Sequence, residues 1–133
     1  MKRFLVVPLL LALACKPPTP AEQMDTILSW IATARMVGDA WLRGTTPDKY
    51  TRQTLELSDH MLLETANELL KSPPPSIDSA AFDSVLTRTR LQIKEMGRLV
   101  EEKAAPEFRS PWDSLRIYEK IVKQVSDKVG SSQ

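Results

Sequence analysis

A chain of 133 residues has room for one domain, and 18 Lys and Arg against 17 Asp and Glu give a formal charge of +1, which offers nucleic acid no attractive surface. Its single cysteine excludes an intrachain disulfide, so the fold has to be held by packing. One histidine and four glycines supply neither a histidine-based triad nor a Gly-rich phosphate loop.

Residues 1–14 read as an export signal. Lys2 and Arg3 precede the apolar stretch from Phe4 to Ala14, which is shorter than the roughly 20 residues a membrane-spanning helix needs. Its end, Ala12-Leu13-Ala14-Cys15, resembles the bacterial lipobox, in which a signal peptidase cuts before a cysteine whose sulfur carries a diacylglyceryl group. Ala14 matches that motif, while Ala12 stands where Leu is commonest and Leu13 where a smaller residue is commoner. The resemblance covers the signal only. It implies a mature chain beginning at Cys15, acylated there with chains such as palmitate, and held on a bacterial envelope membrane, the outer one in a two-membrane cell. Its folded part would then lie in the periplasm or at the cell surface. A lone exported thiol is a liability in an oxidising compartment, and a thioether removes that reactivity. Two or three acyl chains make a lasting anchor, since each buried methylene contributes about 0.8 kcal/mol.

Cleavage leaves about 119 residues and, without Lys2 and Arg3, a formal charge of −1. Residues 15–20, Cys15-Lys16-Pro17-Pro18-Thr19-Pro20, are dense in proline and predict an extended tether of about 3.1 Å per residue, roughly 12 Å over the four residues between Cys15 and Pro20.

A helical bundle is predicted over residues 21–130, with helices near 20–43, 47–71, 77–104 and 111–129 and a disordered tail at 131–133. Thr19-Pro20-Ala21-Glu22, Thr46-Pro47-Asp48-Lys49 and Ser110-Pro111-Trp112-Asp113 each combine a capping hydroxyl, an early proline and a first-turn acid. Glu22 and Asp113 are candidates to close capping boxes. The run Ser72-Pro73-Pro74-Pro75-Ser76 stops the second helix, with Ser76 or Asp78 capping the third. Gly44 and Gly130 stand where C-terminal caps belong.

The apolar residues recur at helical spacing. Ile27, Trp30, Ile31, Ala34, Val37, Gly38 and Trp41 share a face of the first segment, and Tyr50, Leu57, Met61, Leu62 and Leu69 a less regular one of the second. The third carries Phe82, Val85, Leu86, Ile93, Met96 and Val100, and the fourth Leu115, Tyr118, Ile121, Val122, Val125 and Val129. Short connections favour antiparallel neighbours, so the expected fold is all-α, an up-down-up-down four-helix bundle. Ala34 and Gly38, one turn apart, predict a close helix approach, and Phe108 is expected to plug one end from a loop.

Candidate sites each compete with a plainer role. Trp30 and Trp41 lie within about 20° of each other around a helix and read as core more readily than as pocket walls. Trp112 is expected to close one end of the bundle; a place at the membrane interface is the weaker alternative, because antiparallel topology puts the tether at the opposite end. His60 stands four residues from both Glu56 and Glu64, a spacing that places three metal-ligand types on one face, but that face also carries Gln53 and Asn67 and reads as solvated. Haem would need core-facing ligands, and the di-iron Glu-x-x-His pairs are missing. Arg88, Arg90, Lys94 and Arg98 form a basic strip suited to lipid headgroups, interspersed with Glu95, Glu101 and Glu102. No catalytic, cofactor or metal residue is assigned. The expectation is a non-enzymatic envelope lipoprotein, bound to lipid through acylated Cys15 and to an envelope protein partner or serving a structural role. The alternative is a carrier of a small ligand or cofactor in the bundle interior.

Overall fold

The computed structural model describes residues 16–132, so the signal, Cys15 and Gln133 lie outside the described residues. Four helices follow in order: α1 Pro20–Leu42, α2 Asp48–Lys71, α3 Ser79–Glu101 and α4 Ala105–Ser131. The fold is an up-down-up-down four-helix bundle, α1 and α3 each packing on both α2 and α4. Across the diagonals α1 touches α3, whereas α2 and α4 do not meet. None of the described helices is long and apolar enough to cross a membrane.

Alternating spacings of three and four residues build the core, as in coiled-coil packing. On α1 the buried set is Met24, Ile27, Ile31, Ala34 and Gly38, and on α3 it is Phe82, Leu86, Thr89, Ile93, Met96 and Val100. Phe108, Pro111, Leu115, Val122 and Val129 continue the pattern on α4. On α2 the stripe is rotated from expectation: Thr51, Leu55, Ser58, Leu62, Ala66 and Leu69 are buried, while Tyr50 and Leu57 are exposed and Met61 is half-buried. Local hydrogen bonding permits this. The Thr51 hydroxyl donates to the Pro47 carbonyl at 2.9 Å and Ser58 to that of Thr54 at 2.8 Å, so both enter the core already satisfied. Thr89 does the same against Val85 at 2.8 Å.

The helix ends partly follow the sequence signals. The Glu22 N–H donates to Thr19 Oγ1 at 3.2 Å, and that of Ala81 to Asp78 Oδ1 at 3.2 Å. Gly44, with φ +73°, ends the turn after α1 as expected of a glycine cap. Pro47, not Thr46, occupies the α2 cap position, with no side-chain bond. α3 starts two residues later than expected and stops at Glu101, with Lys103 in the left-handed region at φ +56°.

The largest correction concerns α4. It starts at Ala105, with Pro106 in its first turn, so Pro111 lies inside the helix and Asp113 closes no capping box. Pro111 removes one backbone donor, yet its position in the core stripe between Phe108 and Leu115 favours burial over a break. Phe108 therefore closes the end from the helix, not from a loop. Its ring lies 4.8 Å from that of Trp41. Gly130 lies within α4, which runs to Ser131 and ends on Ser132, so those two residues are not a disordered tail.

Candidate interaction surface

The end of the bundle that begins α1 is the tether end; Lys16 to Thr19 approach it exposed and without regular structure. The opposite end gathers Gly38, Met96, Phe108 and Trp112. A Cβ on Gly38 would stand 2.8 Å from Met96 Cε, 3.1 Å from Trp112 Cδ1 and 3.2 Å from Phe108 Cε1, so the close approach foreseen there is real. Trp112 is buried, and its Nε1–H donates to the Arg35 carbonyl at 3.0 Å. The guanidinium carbons of Arg109 and Arg116 lie 5.5 and 5.2 Å from its ring centre.

Trp30 and Trp41 pack against the core from its margin, half-buried. Trp41 Nε1–H donates to Asp48 Oδ1 at 2.7 Å, tying the start of α2 to the end of α1. Neither tryptophan lines any of the four surface grooves described for the bundle. His60 is exposed, with Nε2 3.3 Å from Glu64 Oε1. Glu56, His60 and Glu64 do not converge as a three-ligand group among the described residues.

The basic strip of α3 is divided by its partners. Arg90 reaches α2, where Nε donates to Asp59 Oδ1 at 2.9 Å and Nη2 to Oδ2 at 3.4 Å. Arg98 binds Glu95 and, at 2.7 Å, Glu102. These hydrogen bonds hold the Glu95 carboxyl below its ordinary range and raise the Arg98 guanidinium further. Two of the four cations are thus engaged with carboxylates, which shifts the α3 surface from basic towards mixed charge.

Charge is distributed unevenly among the four seams between neighbouring helices, and the α3–α4 groove is lined mainly by Ile77, Phe82, Val85, Ile121 and Val125, with Asp78 and Lys128 beside them. The α2–α3 seam carries Asp59–Arg90 and a looser Arg52–Glu101 pair at 3.9 Å. On the α1–α4 seam, Arg35 and Glu119 meet at 2.7 Å beside a groove of about 690 Å³ that Lys120, Lys123 and Asp25 help to line. Between α1 and α2, a groove of about 430 Å³ at the tether end is lined by Pro18, Gln23, Thr26, Glu64, Thr65 and Glu68, which shows the faces these helices turn to each other. Continued along the three-four repeat, those faces carry Trp30, Thr33, Val37 and Ala40 on α1, and Pro47, Tyr50, Thr54, Leu57 and Met61 on α2. Not one is charged. Tyr50 is 59% exposed, Leu57 49% and, on α1, Met36 62%.

This apolar seam was hidden in the sequence because Tyr50, Leu57 and Met61 fit a core stripe. The uncharged run opposite them on α1 was the signal that could have separated the two. No protein-family model, curated protein or solved structure matches the chain.

Proposed function

We propose that this chain is a bacterial envelope lipoprotein, anchored to a membrane through acylated Cys15, whose helical bundle is a non-enzymatic interaction or structural module. The observation that carries the reading is the junction of Ala12-Leu13-Ala14-Cys15 with a proline-dense tether that enters a capped helix at Thr19. Four residues, Lys16 to Thr19, separate the anchor from α1, a reach of roughly 12 Å in extended form. That is too short for the bundle to range away from the bilayer. In a two-membrane cell the outer membrane is the proposed site. The α1–α2 seam, uncharged beyond Glu64 and Glu68, supports an interaction role, because interface centres are depleted in charge and enriched in aromatic residues and methionine.

Replacement of the anchor tests the reading. Cys15→Ser expressed in bacteria is expected to move the chain from the detergent-soluble membrane fraction and to abolish incorporation of labelled palmitate. Equal membrane retention and labelling in both chains would contradict it.

A further inference from the structure

We infer that Arg109 and Arg116 form a binding site for a phosphate group beside the Trp112 indole, on the side of α4 that adjoins α1. The two arginines are seven residues apart, two turns and within about 20° around the helix, so both project from one side of α4. Both reach a single ring, with guanidinium carbons 5.5 and 5.2 Å from its centre. The ring attracts each cation, but the two cations repel one another, and an anion shared between them relieves that repulsion. The platform is fixed: Trp112 is buried, its Nε1–H donates to the Arg35 carbonyl at 3.0 Å, and Cδ1 stands over Gly38.

The protein's own carboxylates leave this charge unanswered. Among the described arginines, Arg35, Arg43, Arg52, Arg90 and Arg98 each meet an acid, whereas Arg88, Arg109 and Arg116 do not. Arg88 stands by itself on α3; the other two converge. Asp113 lies four residues after Arg109 and three before Arg116, both ordinary pairing distances on a helix, yet neither arginine pairs with it. On the α1–α4 seam Asp39 and Glu119 are already bound by Arg43 and Arg35. Guanidinium forks bind oxyanions through two parallel N–H donors. A carboxylate has only two oxygens, which one fork fills, while a phosphate has oxygens for both. Trp112 lies near the start of α4, at the end of the bundle away from the tether, so the site does not depend on the anchor. Both arginines are exposed, and the anion exchanges freely and is lost on dilution.

Nitrogen-labelled chain in a maltoside detergent, titrated at constant ionic strength and followed by NMR at the Trp112 indole N–H, tests this. Inorganic phosphate is expected to shift that resonance saturably, and chloride is not. Arg109→Gln and Arg116→Gln should each weaken the binding several-fold and together at least tenfold, with the Trp30 and Trp41 resonances unmoved as evidence that the bundle is intact. Arg88→Gln should leave it unchanged. Dihexanoyl phosphatidic acid, a soluble short-chain lipid, is the second probe: saturation by inorganic phosphate assigns the site to free phosphate, and saturation by the lipid alone assigns it to a headgroup. Saturation by neither, an equal shift with chloride, or binding that survives loss of both arginines overturns the inference. Replacing both by lysine keeps the charge and removes the forks, so undiminished binding in Arg109→Lys with Arg116→Lys would overturn it too.

Discussion

At Gly38 the absent side chain leaves room that Met96, Phe108 and Trp112 occupy, and this lets α1 meet α3 across the bundle. Glycine ordinarily costs a helix about 1 kcal/mol relative to alanine, so Gly38→Leu would gain helix propensity. Here the larger side chain must displace two buried rings, and a net loss of about 1–3 kcal/mol is expected from overpacking. Urea unfolding checks this: a lowered midpoint with unchanged slope is the expected outcome, and a raised midpoint would contradict the packing. The close approach was legible, because Ala34 and Gly38 recur one turn apart on an apolar face. Phe108 was legible as an end plug but not as a helical residue. Ser110-Pro111-Trp112-Asp113 carries the local chemistry of a helix start, and Pro106 offers an equally good one earlier. Burial of Phe108 and Trp112 on one continuous helix decides between them, and no local signal reports that burial.

For α2 the ambiguity lies in the whole stripe. Two apolar series run along it, Tyr50-Leu57-Met61 and Leu55-Leu62-Leu69, and the first looks complete only if Thr51 and Ser58 are assigned to solvent. Their hydroxyls bond to carbonyls of their own helix, so the second series forms the core and the first is left outside. The two faces should respond differently to truncation. Leu62→Ala removes a fully buried side chain and is expected to cost about 2–5 kcal/mol, whereas Leu57→Ala should stay within about 0.5 kcal/mol in the isolated bundle. Equal losses measured by chemical unfolding would contradict the register of α2. On α3 Ile93, Met96 and Val100 were easier to place, whereas on α4 Leu115, Val122 and Val129 form the core as expected while Ile121 is exposed and Tyr118 and Val125 only half-buried.

For the molecule as a whole, four amphipathic segments joined by short proline- or glycine-marked connections were enough to predict the bundle and its topology. The candidate surface was less legible, because it depends on which of two helix faces turns inward and on the charges that other seams carry. The anchor stands apart from both, resting on the pattern from Lys2 to Cys15. The proposed function therefore turns on the chemistry at Cys15, whose acylation would set the membrane and the orientation of the bundle on it. The most direct measurement is the intact mass of the chain extracted from bacterial membranes in detergent, taken denatured. The expected mass is that of residues 15–133 plus two or three acyl groups, with no further bound ligand in a native spectrum. A soluble chain with an unmodified Cys15 would contradict the account, and additional mass present only in the native spectrum would point to a carrier.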